Sequence, residues 1–350
     1  MIKKLLLVVS LAALLCAACT AQQGAPSGKS SEVPPQTSSE QVAEETPPSS
    51  GGEEQPAGYD GDGSDLLTAR QLSTGKIVLI TVDGDIVAEI PDNAGIIGEG
   101  MLFIPGKGAV TYQGDLVFEL DCEWMGEFSN GLAPFGFQTK EGSRAGYVDA
   151  NGTVVIEPVF WGATSFSQGY AAVMISETEW AYIDVSGAIV YRGFADAEPF
   201  SEGLAVVSPD KEKYGYISLD GEYVIEPIYQ TAFSFSEGLA AVAPMTDDFE
   251  DRKYGYIDTA GNYVLDPIYG TAGEFWGGIA AVTFGDFTDM EYYFISPSGE
   301  VALEGAFEGA RSVREAGEGV WSVRRMGERE SYFMSATGEK ILPDYSPDTL

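Results

Sequence analysis

Beyond residue 65 the chain consists of short apolar stretches separated by polar turns that contain glycine. Residues 215–227, GYISLDGEYVIEP, are typical: aromatic and β-branched side chains flank a polar turn on both sides. Alternation with a period of two, interrupted by such turns, predicts β-hairpins and not helices. Because a hairpin of this kind has one apolar face, that face must be covered by a neighbouring element.

The hairpin pattern occurs eight times, at intervals of 30 to 40 residues. A Thr, Asp or Ser stands three residues before the turn glycine of each copy, which is the pair that a type I turn favours. The sequence therefore predicts eight β-hairpins. Their turn glycines are Gly84, Gly114, Gly152, Gly187, Gly221, Gly261, Gly299 and Gly338.

A second motif, of the form FSEGLAAV, alternates with the hairpins and predicts a further strand in each unit. Copies stand at 128–135, 166–173, 200–207, 235–242 and 275–282. A unit of three or four strands cannot bury its apolar face alone, so neighbouring units are expected to stack. We therefore predict an all-β domain of about eight tandem units over residues 65–345, followed by a short tail at 346–350.

Two architectures fit these units. A β-propeller of seven or eight blades is favoured, because a closed ring leaves few strand edges exposed. An open β-repeat array or solenoid is the alternative, in which the edges would need other protection.

The combination of GYID-x-x-G-x-x-VI-x-P with FSEGLAAV resembles the WG-containing repeat family of bacterial proteins. The family's Trp-Gly pair is mostly Tyr-Gly here, at Tyr214-Gly215 and Tyr254-Gly255. The resemblance covers almost all of residues 65–345. It implies a repeat array of the kind often present on secreted or cell-surface proteins, and it supplies no catalytic residues.

The N-terminus has the pattern of an export signal. Two lysines precede an apolar run over residues 5–15, which is too short to span a bilayer as a helix. Ala17, Ala18 and Cys19 then resemble the lipobox of bacterial lipoproteins. We predict a signal peptide over 1–18 and acylation of Cys19, which would anchor the protein at a membrane, on the extracellular or periplasmic side. Cleavage without lipidation is the alternative.

Residues 19–64 contain the predicted lipidated cysteine and a stretch rich in Ser, Pro, Gly, Gln and Glu. Such a composition cannot bury enough apolar surface to offset chain entropy. We therefore expect a disordered tether between the anchor and the repeat domain.

Charge and composition narrow the function. The chain has 54 acidic against 19 basic residues, a formal net charge of −35, and no histidine. That charge repels phosphate backbones, which argues against nucleic acid as a partner. Without histidine, Ser-His and Cys-His catalysis is excluded. No phosphate-binding loop or metal-ligand spacing stands out, so we predict no enzyme, cofactor or metal site, and Cys122 is expected to be a small buried residue.

Two groups of residues are candidates for binding. Glu157, Glu226 and Asp266 each precede the proline that ends a hairpin, so equivalent units would place them on one rim. This acidic rim could attract a cation or a basic partner, or it could simply keep edge strands soluble. Aromatic side chains could line a glycan-binding face or pack between units. They are Trp161, Trp180, Trp276 and Trp321.

The sequence thus predicts a cell-envelope lipoprotein whose repeat domain binds an envelope protein or a glycan. A passive structural lipoprotein without a discrete ligand is the alternative. A glycan-acting enzyme that uses two carboxylates is more distant, because 54 acidic residues allow many chance pairs.

Overall fold

The computed structural model describes residues 66–247, 252–284, 291–303, 310–317, 319–325 and 328–347. Throughout these residues the regular elements are β-strands, which confirms the predicted all-β class. A helix long and apolar enough to cross a membrane is not found in this part of the chain. The predicted signal peptide, Cys19 and the tether lie outside the described residues.

Within those ranges the strands form eight antiparallel four-stranded units, called blades 1 to 8 in chain order. Blade 1 comprises β1 (Leu66–Gln71), β2 (Ile77–Thr81), β3 (Ile86–Ile90) and β31 (Tyr345–Pro347). Blade 2 comprises β4 (Gly95–Gly98), β5 (Met101–Ile104), β6 (Gly108–Thr111) and β7 (Leu116–Phe118). Blade 3 comprises β8 (Trp124–Met125), β9 (Leu132–Thr139), β10 (Gly142–Asp149) and β11 (Val154–Phe160). Blade 4 comprises β12 (Gly162–Ala163), β13 (Tyr170–Ser176), β14 (Glu179–Asp184) and β15 (Ile189–Phe194).

The remaining strands follow the same order. Blade 5 comprises β16 (Asp196–Ala197), β17 (Leu204–Ser208), β18 (Tyr214–Ser218) and the first part of β19 (Tyr223–Ala232). Blade 6 comprises the end of β19, β20 (Ala240–Pro244), β21 (Tyr254–Ile257) and β22 (Tyr263–Tyr269). Blade 7 comprises β23 (Thr271–Ala272), β24 (Ala280–Thr283), β25 (Tyr292–Ile295) and β26 (Val301–Ala302). Blade 8 comprises β27 (Ala310–Gly317), β28 (Val320–Arg325), β29 (Tyr332–Ser335) and β30 (Lys340–Ile341).

Strand β19 belongs to two blades. Its residues from Tyr223 to Tyr229 pair with β18, whereas Tyr229 to Ala232 pair with β20. Between blades 3 and 4, 4 and 5, and 6 and 7 a single residue separates the corresponding strands, such as Trp161 between β11 and β12. The continuous strand therefore joins blades 5 and 6 without changing the count of eight within the described ranges.

The two ends of the domain meet in blade 1. Strand β31 pairs antiparallel with β1, with Gln71 opposite Tyr345 and Arg70 opposite Ser346. Ser346 and Pro347 lie in this strand, so the folded domain extends beyond residue 345, the last residue of the predicted repeat domain. A three-residue strand has no alternating pattern to distinguish it from a tail. Pairing of the first and last strands in one blade is one way in which a propeller ring is closed.

The hairpin turns have the predicted geometry in all eight copies. Every turn glycine has a positive φ, between 78° and 97°. Its N–H donates to the carbonyl three residues earlier, at 2.8 to 3.0 Å. In blade 3 the Asp149 carboxylate also accepts the N–H groups of Asn151 and Thr153, which lowers its pKa. The polar residue before each glycine therefore stabilises the turn, as the spacing indicated.

The FSEG motif forms the tight turn between the first and second strands of a blade. Glu202 and Gly203 both have positive φ, and Ser201 and Leu204 exchange two backbone hydrogen bonds across them. Positive φ at both central residues is what a type I′ hairpin turn needs. The same pair of conformations recurs at Asn130-Gly131, Gln168-Gly169 and Glu237-Gly238.

Tyrosines of the GYID motif connect each blade to the next. Tyr216 is fully buried and donates its hydroxyl to the carbonyl of Phe233 at 2.8 Å, while its ring contacts Phe235 at 4.9 Å between centroids. Tyr147, Tyr182 and Tyr256 make the equivalent bonds, at 2.7 to 2.8 Å. The repeated Tyr and Phe are thus explained by contacts between blades.

Serines of the FSEG motif make a second connection between neighbours. Ser201 Oγ donates to the carbonyl of Phe235 at 2.6 Å. The Glu202 carboxylate accepts the N–H of Gly238, in the equivalent turn of the next blade, at 2.9 Å. The apolar core is divided in the same way, since one cluster combines Tyr147 and Ile156 of blade 3 with Phe166 and Val173 of blade 4. The predicted stacking of units is therefore confirmed.

Candidate functional site

The fourth strands form the free outer edges of the blades and present a repeated surface. In β11, β19 and β22 three successive outward positions carry an apolar, an acidic and an apolar side chain. We call these triplets the outer rows. They are Val155–Glu157–Val159, Val224–Glu226–Ile228 and Val264–Asp266–Ile268, in blades 3, 5 and 6.

These apolar side chains are strongly exposed. Between 47% and 64% of the surface of each Val and Ile in the outer rows is accessible to solvent. The side chain that follows the central acid by one position is a proline in all three rows. Isolated exposed apolar residues are normal on a soluble protein, but the same residues at equivalent positions of three blades form a pattern.

A β-bulge shapes each outer row. Tyr214 pairs with Tyr229 and Tyr216 with Ile225, so the outer strand has extra residues opposite Gly215. A Cβ added to Gly215 would lie 2.5 Å from the carbonyl oxygen of Ile225 and 2.7 Å from the nitrogen of Pro227. Gly146 and Gly255 are equally tightly enclosed by β11 and β22. The glycine of the GYID motif is therefore required because the outer strand's backbone lies directly against it.

We expect Gly215→Ala to lower the free energy of unfolding by about 1–3 kcal/mol, because the added methyl group forces the bulge of β19 apart. Urea denaturation followed by circular dichroism measures the change. Blade 4 provides the control, since Ala181 occupies the equivalent position and its bulge contains Gly193 at a φ of 95°. Ala181→Gly should cost less than Gly215→Ala, and equal losses would contradict this explanation.

The three acids of the predicted rim do occupy equivalent positions. Glu157, Glu226 and Asp266 are exposed, and each is the central residue of an outer row. They are on separate blades, and no group of three acidic, histidine or cysteine side chains able to hold a metal ion occurs among the described residues. The arrangement therefore offers three separate acidic positions and not one chelating cluster.

Blade 4 lacks the acid. Its outer strand has Val190 and then Arg192 at the first two positions. Its shorter bulge brings the buried Phe194 opposite Trp180, as Tyr229 lies opposite Tyr214 in blade 5. Arg192 forms an ion pair with Glu179 of the adjacent strand, with 3.0 Å between Nε and Oε1. The surface of blade 4 is thus different in charge from those of blades 3, 5 and 6.

The four candidate tryptophans lie in different packing environments. Trp321 is buried against Phe294, with ring centroids 4.7 Å apart, and Trp180 packs in the core between blades 4 and 5. Trp276 packs between blades 7 and 8, and Trp161 lies beneath the guanidinium of Arg144 at 5.1 Å. They do not share one face, so packing between elements accounts for them.

Cys122 is buried, as the sequence suggested, and forms no disulfide within the part of the chain that the structure describes. Burial, reinforced by the charge of Asp121, raises the pKa of its thiol to about 11. The thiol is therefore protonated near neutral pH and is a poor nucleophile.

Two further carboxylates, on blades that are not neighbours, have raised pKa values. Glu198 follows β16 of blade 5, and Glu274 follows β23 of blade 7. Desolvation raises the pKa of both, with Asp196 adding to the effect at Glu198 and Glu198 adding to it at Glu274. The charge of Glu198 thus contributes at Glu274, although blade 6 lies between their blades in chain order. Glu198 is nonetheless exposed, so it remains in contact with water although protein atoms surround part of it.

We expect Glu198→Gln to be neutral or stabilising at about pH 7 and to lose that advantage by about pH 4. A carboxyl whose pKa is raised by folding destabilises the folded protein when ionised, and the penalty disappears once it is protonated in both states. Denaturation of both proteins at the two pH values measures the difference. Glu222→Gln, at an exposed turn, is the control. A larger advantage for Glu198→Gln at the lower pH would contradict this assignment.

The sequence did not single out this carboxylate pair. Glu198 stands two residues before the phenylalanine of its FSEG motif, and Glu274 stands one residue before that of its own. Glu127 also directly precedes the phenylalanine of its motif, but other units have Ser165 or Phe233 near these places, so the acid is not a regular part of the repeat. The outer-row acids were found because they do repeat, next to a proline.

The blades share one kind of hairpin turn, and tyrosine and serine side chains of the repeated motifs form hydrogen bonds to the neighbouring blade. This architecture places the protein in the β-propeller class. The family model for the WG containing repeat matches residues 108–136, 146–177, 180–210, 214–243 and 254–286. The chain therefore belongs to the WG-containing repeat family, with five tandem copies over residues 108–286. These copies fall on the blades that carry the outer rows. A comparison with curated proteins gives no match.

Several solved structures are similar in fold. A crystal structure titled as the eukaryotic initiation factor is 12% identical, with a TM-score of 0.51, and the match covers 81% of this chain and 85% of that one. BamB from Moraxella catarrhalis is 14% identical, with a TM-score of 0.44 and coverages of 73% and 83%. Apo AztD from Citrobacter koseri is 15% identical, with a TM-score of 0.44 and coverages of 79% and 92%. At such identities the likeness concerns the fold alone.

Proposed function

We propose that this protein is an exported, lipid-anchored binding module without catalytic activity, which recognises an envelope protein or a glycan through its repeat domain. The observation that carries the proposal is the recurrence of one exposed apolar–acid–apolar row on three blades. A propeller needs buried residues such as Tyr216 for its stability, but it does not need the same exposed side chains at the same outer positions.

The anchor is proposed from the sequence. Cys19 follows an eleven-residue apolar run and two alanines, and acylation at Cys19 would hold the domain at a membrane through the stretch up to residue 64. The absence of histidine from the whole chain supports a binding role over general-base catalysis.

A crosslinking pull-down from native cells tests this function. The full-length protein serves as bait, and Cys19→Ser is the matched control that removes the anchor. We expect a discrete protein or glycan to be enriched with the anchored form and depleted with the control. Loss of membrane association in the control, measured by fractionation, would establish the role of Cys19.

The alternatives give different results. A passive structural lipoprotein would enrich nothing above background, although it would still fractionate with the membrane. A glycan-acting enzyme would release products from envelope glycans on incubation with the protein. Either outcome would overturn the proposal of a non-catalytic binding module.

A further inference from the structure

Resting on the proposed binding function, we propose that the outer rows of blades 3, 5 and 6 bind an extended segment of a basic partner protein. The segment pairs with the free edge of the fourth strand. It carries a Lys or Arg flanked, two positions away on either side, by apolar residues. The Lys or Arg side chain of the segment lies opposite the acidic side chain of the outer row. The apolar residues of the segment cover the Val and Ile side chains of the row.

The backbone of each outer row leaves the edge open for pairing. Around the bulge of β19, the carbonyl oxygen of Ile225 and the nitrogen of Pro227 both approach Gly215 of the third strand. Glu226 and Ile228 lie in the bulge, and neither has a partner residue in β18 or β20. No further strand of the described residues pairs with β19 at these positions.

The proline removes a single backbone donor from each row. A proline whose nitrogen faces solvent removes an outward donor and discourages pairing. Here Pro158, Pro227 and Pro267 lie within the bulges, where their nitrogens are 2.7 to 2.8 Å from the position of a Cβ on the third-strand glycine. Proline lacks only its own N–H, so each row keeps the N–H donors of its acid and of the apolar residue after the proline, which a strand added to a sheet edge can use.

Charge selects the partner. The central acid of each row is exposed and is flanked by apolar surface, where an opposite charge directly across the strands is favourable. The chain's net charge of −35 attracts a basic segment and repels a second copy of the same chain. Blade 4 should not bind such a segment, because its row presents Arg192 in place of an acid.

Two synthetic peptides test the proposal on the full-length protein. TTVTKTVTT has the proposed pattern, and TTVTETVTT reverses the central charge. Fluorescence anisotropy measures their binding at low salt. We expect the lysine peptide to bind at least about fivefold more tightly than the glutamate peptide. Hydrogen exchange should slow at the backbone amides of the outer rows in blades 3, 5 and 6 and remain unchanged in β15.

Two triple variants that remove the same number of charges distinguish binding at the outer rows from attraction to the net negative charge of the protein. The edge variant combines Glu157→Gln, Glu226→Gln and Asp266→Asn. The control variant removes three exposed acids at turns, by Asp83→Asn, Asp220→Asn and Glu222→Gln. The edge variant should lose the preference for the lysine peptide, whereas the control should keep it. Equal behaviour of the two variants, or protection outside the outer rows, would overturn the proposal.

The same variants distinguish this inference from the function on which it rests. If the edge variant still captures the partner found in the native pull-down, the outer rows are not the binding surface and the binding function stands. If the wild-type protein captures no partner, the binding function itself fails.

Discussion

Truncation after residue 344 should lower the free energy of unfolding by about 3–5 kcal/mol, because it removes β31 from blade 1. The deleted strand contributes backbone pairing along β1 and the buried Ser346. The truncation also removes Tyr345 from an apolar cluster that contains Leu67 of blade 1 and Phe333 of blade 8. Chemical denaturation of the full-length and truncated proteins measures the loss.

Truncation after Pro347 is the control for this experiment, because it leaves β31 complete. It should unfold at the same urea concentration as the intact protein. If the shorter protein does not fold, Ser346→Pro provides a milder change, since it removes one donor from the pairing with Arg70. Intact stability after removal of β31 would contradict a structural role for the paired ends.

The second large effect is expected at Tyr216. Tyr216→Ala should cost about 3–5 kcal/mol, because it leaves a cavity beneath Phe235 and removes a bond between blades 5 and 6. Tyr216→Phe keeps the ring and loses only the hydrogen bond to the Phe233 carbonyl, so about 1–2 kcal/mol is expected. Denaturation midpoints at constant slope give both values.

Tyr223 is the matched control for Tyr216. It lies in β19 of the same blade but is exposed, so Tyr223→Phe should have almost no effect on stability. A cost for Tyr216→Phe no larger than that for Tyr223→Phe would show that the bond between blades contributes nothing.

The hairpins were predictable because their turns depend on local chemistry. A capping Thr, Asp or Ser followed three residues later by glycine fixes a turn whatever the surroundings, and all eight turns have that geometry. The buried Tyr and Phe of the motifs were also recognisable as apolar repeats. The hydrogen-bond acceptors of these tyrosines were not predictable. Tyr216 donates to a backbone carbonyl of the next blade, and every residue has such a carbonyl whatever its side chain.

Two features depended on packing that no local pattern records. The strand β31 is three residues long, and its pairing with β1 is set by the stacking of all the blades between them. The outer rows contain Val and Ile that the hairpin pattern would place on a covered face. They are exposed because only one side of the outer strand meets the next blade, where Ile156 and Phe160 are buried.

The pairing of β1 with β31 is central to the account, because it joins the first and last strands of the described domain in one blade. Leu72 donates to the Asp344 carbonyl, so Gln71 and Tyr345, one position along, form the closely spaced pair without hydrogen bonds. A disulfide engineered there, by Gln71→Cys and Tyr345→Cys, should form readily on oxidation. Mass spectrometry of a proteolytic digest would then find the two strands joined, while Gln71→Cys combined with Glu222→Cys would remain reduced. Free thiols at positions 71 and 345 in a folded, oxidised protein would contradict the account.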